Sequence, residues 1–165
     1  MQSEQAFQDL IPNNHCFGCG PSNPLGLQIK SHWRSENESV CHFTPASHHS
    51  AGPLHFLNGG IISTLIDCHC VCTAIAKGYQ LQRRPIGSGD AVWFATGQLT
   101  VTYLKPVPVD HPVELIAEIE DVQENKMSIT CQLYSQHVLC CRGEVLAVKV
   151  SSQWLNSLKS PRPAG

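Results

Sequence analysis

Charge is scarce in this chain of 165 residues. Asp, Glu, Lys and Arg make up 15% of it and sum to a formal net charge of −2. That balance offers no basic footprint for nucleic acid or an anionic membrane, so no partner of either kind is expected. No apolar run is read as approaching the ~20 residues of a membrane span. The opening MQSEQAFQDLIPNNH lacks the basic segment followed by an apolar one that marks a secretory leader, and a cytoplasmic location is expected. Internal repeats and low-complexity stretches are also missing. Cysteine is not scarce: there are nine. An odd number without a leader argues against a disulfide framework, so they are read as mostly reduced, buried thiols.

The length suits one domain with a substantial core. Residues 1–24 are polar and turn-rich, ending in HCFGCGPSNP, and read as an N-terminal arm or cap. Residues 25–155 carry the regular pattern, and 156–165 read as a flexible tail. LGLQIKSHW from Leu25 and SVCHF at 39–43 form a probable hairpin across the turn at 35–38. A helix follows at 59–77, with Asn58 as N-cap and Gly78 as its stop, roughly 28 Å long. Beyond it only strands are expected, at 92–106, 112–122, 126–138 and 143–150. Their period of two is clearest where Val113, Leu115, Ala117 and Ile119 alternate with Glu114, Glu118 and Glu120. With no further helix for crossovers, the expected fold class is α+β: an antiparallel sheet wrapped around one long central helix.

At 100° per residue, Ile61, Ile62, Leu65, His69, Cys72 and Ala76 share an arc of about 100°. Asp67 falls opposite, among Gly60, Ser63, Thr64, Val71 and Ala74. A solvent face would normally be charged. This one is small and nearly neutral, which points to a second protein surface, most simply another copy of the chain. Asp67 would then be partly buried, and burial raises a carboxylate's pKa, which suits a base or nucleophile. Gly59 and Gly60 sit in the first turn, where unpaired N–H groups and the helix dipole can polarise a carbonyl oxygen. The alternative is structural: Asn58 only caps, the glycines permit close packing, and Asp67 satisfies an interfacial hydroxyl.

NGGIISTLID resembles the HGG(A/I)xxxxxD helix motif of hotdog-fold acyl-CoA thioesterases of the PaaI type. TGQLTVTYLKPVP resembles the strand that follows it in that family, and CFGCGPSNPLGL resembles the opening of one subgroup. The resemblance implies a hotdog homodimer, sometimes paired into a tetramer, that hydrolyses acyl-CoA to free acid and coenzyme A at the dimer junction without a cofactor. Asp67 takes the position of the catalytic carboxylate. Gly59 takes that of the residue whose N–H polarises the thioester, and Thr96 that of a hydroxyl contributed by the opposing subunit. Asn58 stands where the family usually has histidine, and Gly52 where several members have Asn or Gln, with His55 or Asn58 as possible substitutes. His55, Gly60, Arg83, Arg84 and Lys105 are the expected substrate-binding residues, the basic ones for coenzyme A phosphates. Two rival functions are a hydratase or dehydratase pairing His55 with Asp67, and a non-catalytic acyl-CoA-binding module.

His15-Cys16-x-x-Cys19 is half a zinc signature, with Cys41, His42, His48 and His49 as possible further ligands. With a single CxxC, no metal is expected and the segment reads as a buried structural knot. Among Cys68, Cys70 and Cys72 only the first and last are helical neighbours, and all three read as small hydrophobic fillers, as do Cys131, Cys140 and Cys141. His69 reads as a packing residue.

Overall fold

The computed structural model describes residues 5–157; residues 1–4 and 158–165, which hold the start of the arm and most of the expected tail, lie outside the described residues. In chain order the elements are α1 (Phe7–Leu10), β1 (Ser31–Trp33), β2 (Glu38–Phe43), α2 (Gly59–Leu81), β3 (Phe94–Tyr103), β4 (Val113–Val122), β5 (Lys126–Ser135), β6 (Val138–Lys149) and α3 (Ser152–Ser157), with one 3-10 turn at Ser47–His49. The strands form one six-stranded sheet in the order β1-β2-β4-β5-β6-β3, antiparallel throughout.

The alternation in the sequence sets the sheet's inner face. Leu115 pairs with Leu133 and Ala117 with Cys131, all buried beneath α2, while Glu114, Glu118 and Gln132 point away from the core. The strand expected at 126–138 stops at Ser135, and the strand expected at 143–150 begins at Val138. Between them Gln136 and His137 form a two-residue loop with φ of 50° and 64°. A two-residue turn needs positive φ at both positions, and Gln-His lacks the Asn-Gly signature that would announce it.

α2 also departs from expectation. It continues through Gly78 to Leu81, about 34 Å in all. Gly78 does not end the helix; a Cβ there would stand 2.6 Å from Val92 Cγ1, so its smallness serves packing against the start of β3. By length and composition this helix could cross a membrane, with a mean hydropathy of 1.5, which corrects the expectation that no run is long enough. Most of its apolar surface is instead taken up inside the fold. Ile62, Leu65, Ile66, Cys68, Cys70, Cys72 and Ala74 are all buried, a broader set than the arc read from periodicity. Ala74, assigned above to the open side, is fully covered, whereas Ile61 is only half-buried. The cause is that α2 is enclosed on more than one side. The sheet covers one face, with Gly143 so close beneath Ile66 that a Cβ would collide with its methyl group. The arm covers another, burying Ile11 and Cys19 in the same core and Phe7 against Trp33.

A polar chain crosses this core. Gln8 Nε2 donates to Ser31 Oγ (2.8 Å), Ser31 Oγ meets His69 Nδ1 (2.8 Å), and Ser39 Oγ lies 3.4 Å from His69 Nε2 and 2.6 Å from Thr73 Oγ1. His69 is therefore a satisfied packing residue. Burial holds its pKa down to about 4. Below the ordinary histidine range the unfolded chain binds a proton that the folded chain refuses, so stability falls as pH drops from about 6.5 to about 4. The expected loss is on the order of 3 kcal/mol in urea unfolding, and His69→Gln should flatten that part of the pH profile.

Candidate active site

Asn58 begins the site. Its backbone is extended, its N–H is held by His49 O at 2.9 Å, and its side-chain oxygen accepts the Ile61 N–H at 3.1 Å. With that donor capped, the N–H groups of Gly59 and Gly60 remain as unpaired donors of the first turn among the described residues. The carbonyl of Gly59 accepts from Tyr103 Oη at 2.6 Å, and the same hydroxyl meets Ser63 Oγ at 2.8 Å. The end of β3 thus fixes the start of α2.

Nine residues into the helix, Asp67 lies half-buried on the strip that sheet and arm leave open, with Gly60, Ser63, Thr64 and Val71. Thr96 Oγ1 donates to Asp67 Oδ1 at 2.5 Å. Burial pushes the carboxyl above the ordinary aspartate range, and the Thr96 bond pulls it back. Thr96 and the carboxylate it holds belong to the same chain. They meet through β3, which runs antiparallel to α2 with Phe94, Thr96 and Tyr103 all turned toward the helix. Thr96 and Tyr103 are seven apart, and in a regular strand they would face opposite sides. Between Thr96 and Gln98 the register against β6 shifts, with Gly97 as the extra residue, and that bulge restores the common face. Tyr103 and Ser63 are site residues that the sequence reading missed. The glycine inside TGQLTVTY was the available signal.

The remaining expected residues scatter. Lys105 is exposed two residues past Tyr103, at the helix start. His55 is exposed and lowers the carboxyl pKa of Asp110, after the hydrogen bond from His111 that dominates there. Among the described residues no hydrogen bond or ion pair joins His55 to Asp67 of the same chain; that carboxylate is held by Thr96. Arg83 and Arg84 lie past the other end of α2, whose last residue, Leu81, is about 21 Å along the axis from Asp67. Arg84 stacks on Tyr79 and donates to Ser88 O, Asp90 O and Gln82 Oε1, which commits it to holding the loop. Gly52 is exposed with open space around it. Clefts of about 480 and 460 Å³ are lined by His42, His111 and Glu114 and by Arg84, Asp90 and Lys149; neither includes Gly59 or Asp67.

The sequence profile of the thioesterase superfamily matches residues 54–142, which contain α2, β3 and the turn between them. The chain belongs to the thioesterase superfamily. A member of that superfamily from Shewanella loihica PV-4 is 32% identical, with 84% of this chain and 96% of that one covered and a TM-score of 0.61. The PaaI protein of the E. coli phenylacetic acid degradation operon, at 13% identity, shares the fold over 76% of this chain and 81% of its own, with a TM-score of 0.61. Among curated proteins, the mouse acyl-coenzyme A thioesterase THEM4 is 26% identical over 131 residues, 78% of this chain and 51% of its own. The chain spans about half the length or less of the curated relatives it matches. The sheet wrapped on α2 is the hotdog fold that the resemblance implied.

The Thr96 bond is directly testable. Replacing Thr96 with Val removes the hydrogen bond that lowers the Asp67 pKa, so the midpoint of the Asp67 carboxyl titration, followed by carbon NMR, should move higher. An unchanged or lower midpoint would count against the bond.

Proposed function

We propose that the chain hydrolyses an acyl-CoA thioester to a free acid and coenzyme A, at sites formed between two copies of itself. The observation that carries this is a spacing. Gly59 and Asp67 are eight residues apart on one helix, hence about 12 Å apart along its axis. A carbonyl held at the Gly59 N–H cannot be attacked from Asp67 of the same chain, because attack needs the reacting atoms within about 3–3.5 Å. Two copies of α2 laid antiparallel across a two-fold axis remove the difficulty: Gly59 of one faces Asp67 of the other.

The sheet supports that pairing. β3 is an edge strand of ten residues, mostly exposed, with no Lys, Arg, Asp, Glu or Pro along it. Proteins usually blunt such an edge, as the three-residue β1 does on the opposite side. Joining β3 to its symmetry mate covers both the edge and the small-residue strip of α2. A further pairing of dimers belongs to the same reading. So does a cytoplasmic location, supported by nine free thiols.

In this reading the thioester oxygen lies against the Gly59 N–H, with Gly60 beside it, and Asn58 keeps the turn open by capping Ile61. The N–H and helix dipole stabilise the charge that grows on that oxygen. Asp67, positioned by Thr96, either takes a proton from water, whose oxygen adds to the carbonyl carbon as the C–S bond breaks, or attacks that carbon itself to expel the thiolate and form an anhydride that water then hydrolyses to the free acid. Coenzyme A leaves as the thiol after protonation. The test is thiol release from a panel of aromatic and aliphatic acyl-CoAs. Wild type should turn over some member, and Asp67→Asn should lose about 100-fold or more of kcat/KM, the range for a general base. Equal inertness of both, with acyl-CoA still bound, would leave a binding module.

A further inference from the structure

Cys16 and Cys19 come from the arm, and Cys68 and Cys72 lie one turn apart on α2. The fold brings the four together. Cys16 Sγ is 3.6 Å from Cys68 Sγ, and Cys19 Sγ is 3.6 Å from Cys72 Sγ. Cys16, Cys19 and Cys68 place their sulfurs within 4.8 Å of one another. The expectation of no metal rested on a single CxxC; the second pair was in plain sight but read as helix filler.

We propose that these four cysteines form a structural zinc site that fastens the N-terminal arm to the catalytic helix. Zinc with four thiolates at about 2.3 Å in a tetrahedron sets its sulfurs about 3.8 Å apart. The two cross-element separations match that edge, and they are far from the ~2.05 Å of a disulfide. The spacing C-x-x-C plus two cysteines at i and i+4 on a helix supplies two compact pairs, the usual layout of a closed zinc site.

The surroundings are built for it. Gly18, between the first two cysteines, lies so close to α2 that a Cβ would clash with Cys68 Sγ and stand 2.8 Å from Thr64 Cγ2. Gly20 closes the knuckle: its N–H donates to Cys16 O at 2.8 Å, and a Cβ would collide with Cys16 N. Asn14, itself buried, holds both ends of the loop. Its Oδ1 accepts the Cys16 N–H at 3.1 Å and its Nδ2 donates to Cys19 Sγ at 3.7 Å, the kind of outer-shell contact that orients a metal ligand. Cys19, Cys68 and Cys72 are buried while Cys16 is exposed, which gives the ion an entry side. Each thiol gives its proton to solvent as the ion binds. Because Cys68 follows Asp67 directly, the ion would anchor the helix at the carboxylate.

The test uses the full chain purified under reducing conditions, with metal measured by mass spectrometry and cobalt titrated into chelator-treated protein. About one zinc per chain, and the intense visible bands of tetrahedral cobalt thiolate, are expected. Cys16→Ala, whose side chain is exposed and whose loss should spare packing, is expected to weaken metal binding at least about tenfold, and Asn14→Ala by about 10–100-fold. Cys140→Ser, outside the cluster, should bind as wild type does. Less than about a tenth of a metal per chain with no cobalt bands would overturn the proposal, as would equal loss in Cys140→Ser. A Cys16–Cys68 disulfide whose reduction does not restore metal uptake would also overturn it. These readouts do not depend on thioester hydrolysis, so they stand or fall apart from it.

Discussion

A long helix that is apolar nearly all round has to be covered nearly all round, and a single sheet can cover only part of it. The rest of this structure answers that constraint. The curved sheet takes one side of α2 and the arm takes a second, through Phe7, Ile11, Cys19 and the polar chain from Gln8 to Thr73. What remains is a strip of small residues broken by one carboxylate. The chemistry proposed for the protein sits on that strip, which the sheet and the arm leave open.

The same constraint explains why catalytic parts so far apart on one helix can serve one reaction. Gly59 provides N–H groups only at the helix start, where the ladder has not begun, and Asp67 stands two turns further on. Neither position can move. In the proposed dimer a second copy, running the other way, would align them. The bulge at Gly97 then has a clear purpose: it lets one strand hold Asp67 through Thr96 and the helix start through Tyr103 while leaving its outer edge open for its mate.

Much of this was legible in the sequence. The order of elements, the cap at Asn58, and the small, neutral face around Asp67 follow from periodicity and residue size. The length of α2 was missed because Gly78 acts through contact with Val92, and sequence cannot distinguish a packing glycine from a stop. The Gln136-His137 turn was missed because neither residue advertises positive φ. Tyr103 was overlooked because counting by twos fails across a bulge. The two cysteine pairs were each seen but not joined, since they are about 50 residues apart in sequence and meet only when the arm folds onto the helix.

The central claim is that Gly59 of one copy and Asp67 of another form one site, and complementation tests it most directly. Pro is tolerated at the first helical position and has no N–H, so Gly59→Pro removes the carbonyl donor without breaking the helix. Gly59→Pro and Asp67→Asn should each be nearly inert alone. Unfolded and refolded together in equal amounts, they should regain about a quarter of wild-type thiol release, because half the dimers are then mixed and each mixed dimer holds one intact site. No recovery in mixtures whose mixed dimers are verified by native mass spectrometry would contradict the claim.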